Sequence, residues 1–153
     1  MDTIFTQDAL ETVFDQTIRE VTEKAAGIRL YRGNAPPVGE LCTVMAIFET
    51  GFHSSISLWG ETAAFVRLTR NMMGRQQVTP RDVEDFTKEY FNIFCGRIAA
   101  SLFRPTRIAS RFGVPSFYQG RCRPEGKREQ FVLTYCGDQQ ERLQLAHLIA
   151  EEP

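Results

Sequence analysis

Apolar side chains recur three and four residues apart between about residues 6 and 24, where Ala9, Leu10, Val13, Phe14, Ile18 and Val21 fall among polar neighbours. That spacing, with acids early in the segment, predicts an amphipathic helix. Gly27 follows it, and Ile28-Arg29-Leu30-Tyr31 reads as a short strand before the breaker cluster Gly33-Asn34-Ala35-Pro36-Pro37. The period then changes to two. Leu41, Thr43, Met45 and Ile47 alternate with their neighbours, and residues 54–59 resume strand composition after Glu49-Thr50-Gly51, which predicts a hairpin. Residues 61–73 return to helical spacing through Ala64, Phe65, Leu68, Met72 and Met73 and stop at Gly74, a usual helix-ending residue. Thr79-Pro80-Arg81-Asp82 then opens a third helix, with Thr79 as the cap and Pro80 at the first helical position. Its expected end is near Phe103, ahead of Pro105. Residues 107–112, 129–135 and 142–149 read as strands, the last two joined around Gly137-Asp138.

Helices and strands in this order lack a regular βαβ alternation, so the expected fold class is α+β: a mostly antiparallel sheet with helices packed against it. With 153 residues, 42% of them hydrophobic, one domain over residues 1–153 is expected. The first and third helices are each followed by a basic strand-like stretch, residues 28–32 and 107–111, a hint of internal duplication.

Charge and composition narrow the field of partners. A net charge of -1 and a pI near 6.1 give no global attraction to nucleic acid or an anionic membrane, so neither is expected as a partner. The first residues, Met1-Asp2-Thr3-Ile4-Phe5, lack the basic and apolar regions of a signal peptide, and no apolar run approaches the roughly 20 residues of a membrane span, so a cytoplasmic location is expected. Cys42, Cys95, Cys122 and Cys136 are irregularly spaced and read as free thiols. His53 and His147 are isolated from each other, so no metal site is expected, and His147, in an apolar stretch, reads as a hydrogen-bonded core residue.

The third helix carries the candidate chemistry. At about 100° per residue, Val83, Phe86, Tyr90, Phe91, Phe94 and Ile98 gather on one apolar side, and Asp85, Glu89, Asn92 and Gly96 line up on the other. Glu89 can accept from a cation, and Asn92 one turn later can both donate and accept, so the pair can grip and orient a partner group. Gly96 costs about 1 kcal/mol relative to alanine within a helix, but it leaves the backbone bare for close approach.

The stretch Asp85-Phe86-Thr87-Lys88-Glu89-Tyr90-Phe91-Asn92 resembles the D/S-x3-E-x2-N pattern of the CheC/CheX/FliY response-regulator phosphatases, in whose motif helix a glycine often stands where Gly96 does. The order of elements is similar over nearly the whole chain, and a single motif in a chain this short resembles CheX most. The resemblance implies chemotaxis or other two-component signalling, with hydrolysis of the phospho-aspartate of a CheY-like response regulator. Mg²⁺ would be held by the regulator, and no cofactor by this chain. It assigns Asn92 to orienting the attacking water, Glu89 to pairing with the regulator's lysine, and Asp85 and Gly96 to docking. It also implies a homodimer, built by joining sheets at an exposed edge. Relatives of the CheC type carry a second motif, and here the first helix offers Asp8, Glu11 and then Phe14 where an asparagine is required.

Three other readings compete. The stripe is an ordinary solvated helix face; or the chain docks on a regulator or flagellar-switch partner without hydrolysis; or the basic segment over residues 104–128, with Arg104, Arg107, Arg111, Arg121, Arg123, Lys127 and Arg128, binds nucleic acid or another anion.

Overall fold

The computed structural model describes residues 6–50, 54–107 and 111–151, with only the backbone at 49–50 and 103–106. Its elements run α1 (Gln7–Ala26), β1 (Leu30–Arg32), β2 (Leu41–Thr50), β3 (Ser55–Glu61), α2 (Thr62–Met73), α3 (Pro80–Thr106), β4 (Arg111–Phe112), β5 (Ser116–Gln119), β6 (Lys127–Gly137) and β7 (Arg142–Ala150). The helix signals act as their chemistry requires. The Thr6 hydroxyl accepts the Ala9 N–H at 3.1 Å, and Gly27, at φ +63°, turns its own N–H back to Glu23 and Thr22 to close α1.

All strand pairings are antiparallel, and the order β1-β6-β7-β3-β2-β4, with β5 also beside β2, makes the expected α+β sheet. The order is symmetric about the β3–β7 contact. β1–β6–β7 on one side matches β5–β2–β3 on the other, as the strands after α1 (β1, β2, β3) and those after α3 (β5, β6, β7) exchange places about that contact. The burial patterns of those helices agree: Leu10, Phe14, Thr17, Ile18, Val21 and Thr22 in α1 repeat the spacing of Val83, Thr87, Tyr90, Phe91, Phe94 and Cys95 in α3. Thr6 and Thr79 stand at equal distances before the two series, so the hint of duplication holds.

The structure nevertheless changes its terms. The counterpart of β1 is β5, which the sequence pattern did not reveal, and the described part of the basic stretch after α3 enters the sheet as β4; residues 108–110 of the expected strand lie outside the described residues. The third helix also outruns its expected end, because a proline in a final turn forfeits a single N–H bond. The stop comes at Arg107, whose φ of +60° leaves the helical region.

The helices cover one face of the sheet. Val44, Ala46, Phe48, Ile56, Leu58, Leu133, Tyr135, Leu143 and Leu145 share a core with them. Phe14 sits at its centre, edge-on to Phe94 at 6.1 Å, Phe131 at 5.2 Å and His147 at 5.4 Å. On the opposite face Trp59, Ala146 and Leu148 form a smaller cluster with Val132. The connection from β5 to β6 closes over it: the Arg121 guanidinium lies 4.4 Å from the Trp59 ring, and the Thr43 hydroxyl donates to the Gly120 carbonyl at 2.7 Å and accepts the Cys122 N–H at 3.1 Å.

His147 is a hydrogen-bonded core residue, with Nδ1 at 2.6 Å from the side-chain amide oxygen of Gln130, Oε1. Burial, reinforced by Lys127, lowers its pKa from 6.5 to about 4. Between those values the unfolded chain binds a proton that the folded chain refuses, so stability falls as pH drops from 6.5 towards 4. The loss from this group reaches up to about 3 kcal/mol. Denaturant titrations at neutral and acid pH should show a smaller acid loss in His147→Gln than in the parent; equal losses would contradict the assignment.

Candidate functional site

The outward face of α3 is set by how the helix begins. Thr79 and Asp82 bond reciprocally, the Asp82 N–H to the Thr79 hydroxyl at 3.0 Å and the Thr79 N–H to the Asp82 carboxylate at 2.9 Å, with Pro80 opening the first turn. From there Val83, Thr87, Tyr90, Phe91, Phe94, Cys95, Ile98 and Leu102 are buried. This differs from the expected inner face in one respect. Phe86 is only half-buried, a third of a turn off the core's centre, whereas Thr87 and Cys95, short enough to pack closely, lie beneath the helix. The Thr87 hydroxyl has no hydrogen-bond partner, and burial pushes the Cys95 thiol far above its usual range.

Asp85, Glu89, Asn92 and Gly96 all lie exposed on the opposite side. Asp85 stands 3.9 Å from Arg81, a loose pair on the helix surface. Among the described residues no hydrogen bond or ion pair ties down the side chain of Glu89 or Asn92. Both ends of the Asn92 amide and both Glu89 oxygens are therefore free for a partner.

The stripe has two different flanks. Towards α1 stand Ile93, 38% exposed, and Arg97, whose guanidinium reaches Glu20 of α1 at 2.8 Å. Glu20 also takes Lys24 at 3.1 Å, and these two cations hold its carboxyl below the usual range. Towards β5 an open cleft of about 590 Å³ is lined by Pro80, Arg81, Glu84, Asp85, Lys88, Phe117 and Gln119, with Lys88 held by Glu84 at 3.1 Å.

The internal two-fold shows where a second motif would stand. Matching buried positions of α1 and α3 sets Thr12, Gln16 and Arg19 opposite Asp85, Glu89 and Asn92. The candidates read from sequence, Asp8, Glu11 and Phe14, are not in that register, and Phe14 is a core residue at 1% exposure. Arg19 is engaged with Asp15 at 3.1 Å, and Asp15 also accepts the Tyr135 hydroxyl at 2.6 Å. The register was available in the sequence by counting from the capping threonines.

Two cations of the basic segment have partners within the chain. Arg121 and Arg123 both turn onto Glu129 at 3.0 Å, and Arg121 is stacked on Trp59, so these two cations fasten the β5–β6 connection. Among the described residues no group of three His, Cys, Asp or Glu side chains is placed to hold a metal ion.

No protein-family model and no curated protein matches the chain. Solved structures do resemble it. The chemotaxis protein CheX of Vibrio vulnificus superposes with a TM-score of 0.74 at 15% identity, over 97% of this chain and 100% of that one. CheX of Desulfovibrio desulfuricans gives 0.72 at 14% identity, over 93% and 99%. The CheX of a CheX–CheY–BeF3–Mg²⁺ complex from Borrelia burgdorferi gives 0.72 at 13% identity, over 93% and 98%. At these identities the likeness shows that the chain has the CheX fold.

A Cβ added at Gly96 would meet nothing within 4 Å. Packing within this chain therefore does not require the glycine. Gly96→Ala should raise stability by about 1 kcal/mol, read as a higher denaturation midpoint; a loss of stability would mean the position is constrained within the fold.

Proposed function

We propose that this chain dephosphorylates a CheY-like response regulator, with Asn92 and Glu89 as the working residues. The observation that carries the reading is the Glu89–Asn92 pair: exposed, unengaged and one turn apart on the outer face of α3 in a CheX fold. The Borrelia structure, a CheX with CheY, BeF3 and Mg²⁺, supports a regulator as the partner. Chemotaxis signalling in the cytoplasm is the setting that fits.

The reaction divides between the two proteins. The regulator brings the phospho-aspartate, its Mg²⁺ and a lysine near the phosphoryl group. Asn92 enters that pocket, accepts one hydrogen bond from the attacking water and holds it in line with the phosphorus and the departing aspartyl oxygen. Water adds to phosphorus as the bond to the aspartate breaks, leaving inorganic phosphate and a free carboxylate. Glu89 pairs with the lysine and fixes the approach, Asp85 keeps the helix surface in place at the edge of the contact, and bare Gly96 lets the surfaces close. None of this requires a covalent step on the phosphatase. Positioning and preorganised polar groups are the means by which proteins accelerate phosphoryl transfer.

The same reading includes a homodimer through β5. Its register on β2 pairs Phe117 with Val44 and Gln119 with Cys42, and the adjoining Gly120 N–H bonds to the Leu41 carbonyl at 2.6 Å. By the alternation of an antiparallel ladder, Phe117 and Gln119 direct their backbone polar groups away from β2, at an open edge. Exposed Tyr118 and Val114 lie alongside.

With phosphorylated regulator and Mg²⁺ supplied, Asn92→Ala should slow the accelerated decay on the order of 10²-fold, the usual cost of losing one transition-state hydrogen-bonding group. Decay unchanged by the substitution would remove Asn92 from catalysis. Binding of the regulator with no acceleration by the parent protein would leave a docking module. For the dimer, Gln119→Pro removes an outward N–H without touching the ladder to β2. Light scattering should then report half the parent mass for a folded protein; an unchanged mass, or a monomeric parent, would exclude this edge.

A further inference from the structure

The acidic stripe poses an electrostatic problem for its proposed partner. A pocket that holds Mg²⁺ beside a phosphoryl-bearing aspartate is itself lined with carboxylates, because this ion takes oxygen ligands. Glu89 has the regulator's lysine to meet, but Asp85 approaching such a rim is repelled unless cations travel with it. The Arg81 and Lys88 cations on the β5 flank stand beside Asp85 and Glu84, which offset them. The α1 flank is different: Arg97 and Lys24 share the single carboxylate of Glu20, leaving that seam with a net positive charge.

Arg97 also stands where a docked surface must meet it. It follows Gly96 directly and is one turn beyond Ile93, so a partner close enough to rest on the bare backbone covers both. Its side chain is 46% exposed, and Glu20 engages one end of a guanidinium that carries five N–H donors. The rest of the fork is available while the anchor limits the freedom lost on binding.

We propose that Arg97 is a docking residue for the acidic rim of the regulator's phosphorylation pocket, held in position by Glu20 across the α1–α3 seam. The proposal rests on the phosphatase reading for its partner but not for its readout. Ile93 and Gly96 form the apolar centre of this contact and Arg97 its charged border, the arrangement usual in protein interfaces. Arg97 acts on encounter and binding, Asn92 on turnover.

The test measures binding of a regulator carrying beryllofluoride and Mg²⁺, alongside decay of the phosphorylated form, for the parent, Arg97→Glu, Glu20→Arg and the double variant. Arg97→Glu should raise the half-saturating concentration on the order of tenfold, flatten its dependence on salt, and alter the saturated decay rate far less. The double variant re-forms the ion pair with its charges exchanged. It should recover the thermal stability of the parent without recovering its binding. Equal binding by Arg97→Glu overturns the proposal, as does recovery of binding together with stability in the double variant, which would make the seam contact alone responsible. A parent that binds through Arg97 but accelerates no decay leaves this inference standing and removes the phosphatase reading. A parent that accelerates decay with Arg97 immaterial does the reverse, and a parent that does neither removes both.

Discussion

The rotation of α3 about its own axis is the constraint on which the candidate site depends. A helix of this length presents whichever side its core does not claim, and the core claims the side of Tyr90, Phe91, Phe94 and Ile98, each at 1% exposure or less. Phe14 of α1 meets Phe94, and the Thr22 and Tyr90 hydroxyls bond at 2.6 Å, so both the apolar and the polar contacts between the long helices fix that rotation. A small turn of α3 would leave the Tyr90 hydroxyl buried without its partner, at a cost of about 1–3 kcal/mol. Asp85, Glu89, Asn92 and Gly96 point outward because the inward side has no freedom to choose otherwise.

The two-fold arrangement sharpens the contrast between the halves. One architecture is used twice, with the same cap, the same burial spacing and the same place beside the sheet, yet α1 carries Thr12, Gln16 and Arg19 where α3 carries Asp85, Glu89 and Asn92. The core tolerates this because these positions face away from it. What the α1 half does with its surface is structural: Arg19 and Tyr135 converge on Asp15, and Glu20 reaches across to α3. The working face and the bracing face are thus two decorations of the same element.

Most helix ends were legible because they rest on local chemistry, Thr79 as a cap and Gly27 and Gly74 in left-handed conformations after α1 and α2, whereas α3 runs past its expected stop. The stripe on α3 was legible for a related reason, since a long amphipathic helix states its outer face through its period. β5 was not. Its four residues, Ser116 to Gln119, are too few to show an alternation, and they become a strand only because β2 offers an edge. The inner face of α3 was blurred by residue type. Phe86 reads as core and Thr87 as surface, but exposure follows angle, and the angle favours Thr87. The roles of Arg121 and Arg123 were hidden for a third reason. A run of cations looks like a patch until Glu129 and Trp59, distant from Arg121 along the chain or across the sheet, are seen beside them.

The freedom of Glu89 and Asn92 is the most informative contrast in the molecule. Surface carboxylates nearby are engaged: Asp85 loosely with Arg81, Glu84 with Lys88, and Glu20 with two cations. An exposed pair contributes little to stability, so leaving Glu89 and Asn92 unpaired costs the fold almost nothing. For binding the consequence is larger. A side chain already bonded within its own protein must break that bond before it can serve a partner, whereas a free one spends its full hydrogen-bonding capacity on the complex. The structure therefore concentrates rigidity in the helix backbone and freedom in two adjacent side chains, so that the direction of approach is fixed while the contacts remain to be made.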